Sequence, residues 1–219
     1  YPDPAGAVAL LPVGLDVAAG DYLVRAALVD NSGRTTAKEL TLSVVYKERP
    51  EESLTLPEGM VTPSAENLKR IGQENDLLKR IFSLRAMRYW TTFERPVEEQ
   101  VSSVFGKQRK LNGKPRSPHS GTDFRSPSGT PVGALSNGRV ALVADLFYTG
   151  NTVVVDHGEG LFSLYAHLSK VLVEEGHELL AGDVLGEVGS TGRSTGAHLH
   201  LTVKLLGERV DPLSLFSLH

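Results

Sequence analysis

Ala197-His198-Leu199-His200-Leu201-Thr202-Val203 alternates apolar and polar positions along its length. Successive side chains on a strand point to opposite faces, so His198, His200 and Thr202 share one face and Leu199, Leu201 and Val203 the other. The leucine side is a core face. Two imidazoles held together above a core point to a shared metal or catalytic task rather than to a solvated polar pair. Around this stretch run short β-branched segments, Thr152–Val155, Val171–Val173 and Val184–Val188. Fifteen of the 22 glycines fall between Gly113 and Gly207, dividing these segments. Many short strands with tight turns predict a compact all-β domain from Phe93 onward.

The second chemistry-bearing segment is His119-Ser120-Gly121-Thr122-Asp123. Its spacing would suit one helix face, but Pro118, Gly121, Pro127 and Gly129 favour an extended path. There an even separation again turns His119 and Asp123 to one side. With one further histidine they make three protein ligands, the number a catalytic zinc uses when its fourth position stays open. The chain has no cysteine, so any metal rests on His, Asp or Glu, and thiol catalysis and disulfides are excluded. A third element, Tyr165-Ala166-His167-Leu168, places a histidine at the end of the β-prone run Leu161–Ala166.

His-x-x-x-Asp at 119–123, Tyr-Ala-His-Leu-Ser at 165–169 and Gly-Ser-Thr-Gly-Arg-Ser-Thr-Gly-Ala-His-Leu-His at 189–200 together resemble the LytM-type zinc metallopeptidases, the lysostaphin-like M23 family. The resemblance extends from about Phe93 to Phe216, through Phe105-Gly106, Asp156-His157-Gly158, Gly182-Asp183-Val184-Leu185-Gly186 and Val210-Asp211-Pro212. It implies a compact antiparallel β domain with a groove across one Zn²⁺, held by His119, Asp123 and His200. It further implies that His198 and His167 are unligated catalytic histidines, and that the substrates are peptidoglycan stem peptides or cross-bridges. On that allocation His198 is the expected proton acceptor, since imidazole exchanges a proton near neutral pH. His167 is expected to hold the water or donate to the oxyanion, the two roles being exchangeable. Such an activity implies the cell envelope, periplasmic or secreted. The alternative is a non-enzymatic LytM-like regulator that binds and activates other cell-wall hydrolases; such relatives lack ligands, whereas the matching positions here keep competent residues.

Upstream, Asp21–Val29 and Arg34–Val45 flank the turn Asp30-Asn31-Ser32-Gly33 and predict a hairpin. Val8–Val17, broken by Pro12 and Gly14, is expected to add one or two strands, giving a small β-sandwich-like accessory module over 1–48. Tyr46–Glu58 reads as a linker. Thr62-Pro63-Ser64 before Glu66 opens a helix, and Leu68, Ile71, Leu78, Ile81 and Leu84 extend it from about Pro63 to Arg88. The expected organisation is therefore mainly β: module 1–48, linker and connecting helix 49–92, peptidase domain 93–219. Residues 1–92 are expected to position or anchor the enzyme, so a chain beginning near Thr92 should fold and act alone.

The 219 residues carry 23 Lys plus Arg against 26 Asp plus Glu, a net charge of −3, with 40% hydrophobic and 22% charged positions. This is a globular composition. No apolar run approaches the roughly 18–20 residues of a membrane span. The charge balance argues against nucleic acid, and peptidoglycan peptides are the partners that the resemblance implies; Lys107, Arg109, Lys110, Lys114 and Arg116 read as a solvated cluster or a charged-partner site. The chain opens Tyr1-Pro2-Asp3-Pro4 without Met, as an internal piece would. No Gly-x-Ser-x-Gly elbow supports a serine hydrolase. His157 is expected to stabilise a turn, and His177 and His219 to be exposed. The resemblance also brings to attention Asn112, since some relatives hold an Asn as an inhibitory fourth ligand, but its spacing from His119 is too short for that role.

Overall fold

The protein is described here by a computed structural model covering residues 2–3, 6–7, 9–30 and 32–218. Val8, Asn31 and His219 lie outside the described residues. β1 (Pro2–Asp3) pairs with β2 (Gly6–Ala7). β3 (Gly20–Val29) and β4 (Thr35–Val44) form the predicted hairpin, in register along both strands. Asp30 closes its turn by accepting the Ser32 and Arg34 backbone N–H groups at 2.9 and 3.0 Å. Residues 9–17 contain no strand, because Pro12 lacks a ladder donor and Gly14 weakens pairing. The sandwich-like module is thus, in the described residues, two separate strand pairs, the short β1–β2 and the ribbon β3–β4, the latter with Leu23, Leu28, Val29 and Leu40 exposed.

The acidic stretch expected as a linker contains β5 (Glu51–Leu54) and a short helix α1 (Glu58–Val61), followed by α2 (Ala65–Phe82). The remaining strands are β6 (Val101–Ser103), β7 (Gln108–Leu111), β8 (Lys114–Arg116), β9 (Thr122–Phe124), β10 (Pro131–Gly133), β11 (Gly138–Leu146) and β12 (Gly150–Gly158). They continue as β13 (Leu161–Leu168), β14 (Lys170–Val171), β15 (Glu178–Leu179), β16 (Val184–Glu187), β17 (Leu199–Leu205) and β18 (Glu208–Val210). An eight-stranded antiparallel sheet runs β15-β11-β12-β13-β17-β9-β6, with β18 on β17. One face packs on the three-stranded sheet β10-β16-β14. Between them Phe124, Val132, Val153, Tyr165, Leu185, Leu199 and Leu201 are buried in one core, so the leucines of the histidine strand face inward as their alternation predicts.

The opposite face carries a second cluster, Leu142, Val154, Phe162, Leu164 and Ala166, covered by Leu77, Leu78, Ile81 and Phe82 of α2. Ser64 caps this helix by accepting the Asn67 N–H at 3.2 Å. The helix ends six residues short of the predicted Arg88 because the chain is then captured by the β12–β13 turn. Tyr89 and Trp90 N–H groups donate to the His157 carbonyl at 2.8 and 3.2 Å, and the Glu159 N–H to Ala86 at 2.9 Å. Gly158 permits this approach, since a Cβ there would lie 2.0 Å from the Met87 carbonyl oxygen. A tertiary ladder has overridden helix propensity.

β5 pairs in parallel with β7, and β7 turns into β8 through Asn112-Gly113, both at positive φ (49° and 76°). The basic run finds its counterions in this pairing: Lys107 meets Glu52 at 3.0 Å, Lys110 meets Glu51 at 2.9 Å and Lys114 meets Glu58 at 3.0 Å. Most of the cluster is therefore neutralised within the chain. Asn112 is spent on the turn, accepting the Leu56 N–H and donating to the Leu56 carbonyl, each at 2.9 Å.

These contacts revise the expected truncation. Removing everything before Thr92 would uncover the α2 face of the sheet and delete β5. The exposed apolar surface corresponds to on the order of 5 kcal/mol, comparable with a domain's whole stability. Such a chain is expected to aggregate or melt well below the full one, whereas a chain beginning at Lys47, which loses the strand pairs β1–β2 and β3–β4 and the packing of Leu10 on the main core but keeps β5 and α2, should lose much less of its melting temperature. Thermal denaturation of both decides the point; a stable Thr92 chain would show that α2 is dispensable.

His157 is fully buried, its Nδ1 donating to the Asn137 carbonyl at 2.8 Å and its Nε2 lying 2.7 Å from Ser163 Oγ. Burial pushes its pKa down from 6.5 to about 4, so the unfolded chain binds the extra proton between those values. Neutral His157 thus contributes about 3 kcal/mol that is present above pH 6.5 and lost as pH falls through about 4. In chelated protein, His157→Gln is expected to flatten this loss relative to wild type in urea titrations at pH 7 and pH 4. Parallel pH dependences would refute the assignment.

Candidate metal centre

In the β17–β9 ladder His200 stands opposite Asp123, and in the β9–β6 ladder Asp123 stands opposite Ser103. Directly opposed residues share a face, so the His200 and Asp123 side chains meet by register alone. His119 approaches from the extended segment before β9, held by its N–H to the Lys107 carbonyl at 2.8 Å. Gly121 lets this segment lie against β17, because a Cβ there would sit 2.2 Å from the Leu201 carbonyl oxygen. The result is a tight triangle: His200 Nδ1 to Asp123 Oδ1 is 2.6 Å, His119 Nε2 to Asp123 Oδ1 is 3.0 Å, and His119 Nε2 to His200 Nδ1 is 3.1 Å. These buried donors can together hold a metal ion.

The outer atoms of each group are tied as well. His119 Nδ1 donates to the Val104 carbonyl at 3.0 Å, and His200 Nε2 lies 2.9 Å from Thr202 Oγ1. Arg109 donates to Asp123 Oδ2 at 2.8 Å and is itself braced by Glu52 at 3.3 Å. Such outer partners fix ligand orientation and tautomer. Burial pushes Asp123 up, but hydrogen bonds from His119 and His200 outweigh it and hold the carboxyl well below its usual range. Burial pushes His200 down against the opposing pull of Asp123. Asp123 is thus held as a carboxylate, and burial disfavours charge on His200, the protonation states a metal requires of both.

His198 shares the His200 face two residues away, with Nδ1 2.9 Å from the Gly196 carbonyl and Nε2 3.8 Å from Asp123 Oδ1. His167 should point into the core by simple alternation, since Ala166 is the residue opposite His200. Its backbone is left-handed, at φ 63°, and this turns the ring back toward the others. The His167 and His198 ring centroids are 4.7 Å apart, and His167 Nδ1 donates to the Thr191 carbonyl at 2.8 Å. Burial first, then the neighbouring His200 and His198, push His167 down to about 3. The structure thus brings His119, Asp123, His200, His198 and His167 to one centre. His157 lies in the core and His177 is exposed.

The centre opens into a cleft of about 780 Å³ whose other wall includes Ile71, Leu78 and Phe82 of α2 and Leu54, Leu56 and Val61 around β5 and α1. The upstream elements were expected to stand apart from the site, yet they line it. Tyr148 and Arg193 also face the cleft; neither carries a motif signal by itself. Arg109 and Glu52 were legible only as opposite charges in two distant runs.

Residues 117–212 match the family model for peptidase family M23. A crystal structure from Pseudomonas aeruginosa assigned to peptidase M23 is 34% identical with a TM-score of 0.72, covering 94% of this chain and 77% of that one. The chain belongs to peptidase family M23. Among its relatives, the peptidoglycan DD-endopeptidase ShyA of Vibrio cholerae is 40% identical over 121 residues, 54% of this chain and 28% of its own length. The DD-carboxypeptidase/endopeptidase Mpg of Neisseria meningitidis serogroup B is 40% identical over 119 residues, 54% of this chain and 27% of its own. The chain spans little more than a quarter of these relatives' length. The M23 match begins at Ser117, so β5, α2 and Arg109 wall the cleft from outside it.

Proposed function

We propose that this M23 chain is a zinc-dependent endopeptidase that hydrolyses peptide bonds in peptidoglycan stem peptides or cross-bridges, in the cell envelope. The observation that carries this reading is the His119, Asp123, His200 triangle at the floor of an open cleft, with two further histidines beside it. The donor set fits zinc: two imidazole nitrogens and one carboxylate oxygen, each oriented by an outer hydrogen bond, form a three-ligand site with room for a fourth partner. Retention of all three donors speaks against a ligand-less regulator.

Zinc, when bound, supplies Lewis-acid polarisation and lowers the pKa of water to roughly 7. His198 takes the proton of the attacking water at Nε2, since its Nδ1 is engaged with the Gly196 carbonyl. His167 donates Nδ1–H to Thr191, leaving Nε2 a bare acceptor, and stays neutral at pH 7. Of its two expected tasks, holding the water suits that tautomer; donating to an oxyanion would need a second proton. Arg109 and Glu52 keep Asp123 oriented.

Purified sacculi incubated with the zinc-loaded chain should release peptides with new amino termini, detected by mass analysis. A chelator should stop release and added zinc restore it. Intact sacculi and intact soluble muropeptides under both conditions would refute the reading.

A further inference from the structure

The chain is net negative, −3, yet its cleft is rimmed by Arg116, Arg125, Arg193, Lys204 and Arg209. Among the described residues, no ion pair within 4.0 Å engages any of the five. The acids lining the same cleft are already committed: Glu52 to Lys107 and Arg109, Glu74 to Arg70, and Asp123 to the metal triangle. Charge has been segregated toward the cleft, leaving cations there in excess.

Arg193 is the best positioned of them. It lies in the loop that also supplies Thr191, the acceptor for His167, and His198 itself. Its backbone N–H donates to the Tyr148 carbonyl at 2.8 Å, and its guanidinium stacks 4.1 Å from the Tyr148 ring centroid. Stacking fixes the plane of the fork while leaving its N–H donors unused; among the described residues the guanidinium forms no hydrogen bond. Burial, then the charges of Arg109 and Arg116, oppose its protonated form, and only the contact with Tyr148 favours it. A half-buried cation without a counterion is unfavourable, and a bound anion would relieve it.

We propose that Arg193, oriented by Tyr148, binds a carboxylate of the substrate near the scissile bond, so that the cleft selects acidic peptides. This rests on the reading of the cleft as a peptidase site. A planar fork beside a carboxylate forms paired charge-assisted bonds, and losing them corresponds to about ten- to a hundredfold in affinity.

The test compares a soluble cross-linked stem-peptide dimer bearing free carboxylates with the same dimer converted to primary amides. Hydrolysis is followed by kcat/KM, and binding to the zinc-loaded chain by calorimetry in the cold. Wild type is expected to favour the carboxylate form by about ten- to a hundredfold, chiefly through KM, with the preference weakening as salt rises. Arg193→Gln should bring the ratio near one, and Arg193→Lys should recover part of it, with zinc content and melting temperature unchanged in both. Equal use or equal binding of the two dimers by wild type overturns the proposal while leaving the peptidase reading intact. If neither dimer is cleaved, that reading fails, and calorimetry alone decides whether the carboxylate is bound. Absence of any binding also overturns the proposal.

Discussion

Alanine at position 200 is expected to leave less than about a tenth of the zinc bound after dialysis and to lower hydrolysis by at least about 10³-fold. His200 Nδ1 is the member of the triangle nearest Asp123 Oδ1, at 2.6 Å. Its removal leaves a two-donor site, and two donors do not hold zinc against dialysis as three do. The substitution also takes away one of the hydrogen bonds that hold Asp123 ionised, so the carboxylate becomes a poorer ligand at the same moment. Asp123→Ala should behave alike for a different reason, since it leaves Arg109 facing the site with only Glu52 to balance it. Zinc content by atomic spectroscopy is the readout, with circular dichroism to show that the sheet persists. Stoichiometric zinc in either folded variant would mean that the ligands lie elsewhere.

What the sequence disclosed about this centre follows the range of the interactions that build it. His198 and His200 were legible because alternation is a local property of a strand, and the leucines between them name the buried side. His119 and Asp123 were legible because nearby prolines and glycines exclude a helix. His167 was recognisable by resemblance alone, since alternation sends it to the wrong face and only its left-handed backbone, φ 63°, returns it. β5 was hidden because it is joined to β7 across more than fifty residues, with ion pairs rather than an apolar stripe marking the match. The apolar stripe of α2 was visible, but its destination was not. Which sheet face it covers depends on non-local packing, and that packing makes the helix a wall of the cleft rather than a connecting arm.

His198→Ala should keep its zinc and lose turnover by about 10²–10⁴-fold, the usual consequence of removing a general base. The expectation separates from that for His200 because the two rings, although neighbours on one face of β17, are tied differently. His200 presents Nδ1 to the triangle and Nε2 to Thr202. His198 presents Nδ1 to the Gly196 carbonyl and leaves Nε2, 3.8 Å from Asp123 Oδ1, free to receive a proton. A ring so placed contributes little to holding the ion, so kcat rather than zinc affinity should fall. Without it the proton must leave to solvent, and the rate should climb with hydroxide concentration instead of reaching a plateau. Because His198 is partly exposed, with 18% of its side chain accessible, added imidazole should enter and restore part of the rate. The same imidazole should not rescue His200→Ala at zinc concentrations that leave that variant empty. Near-normal turnover in both His198→Ala and His167→Ala would remove the proton-transfer assignment, whereas loss of zinc from His198→Ala would make it a ligand and change the geometry of the open position.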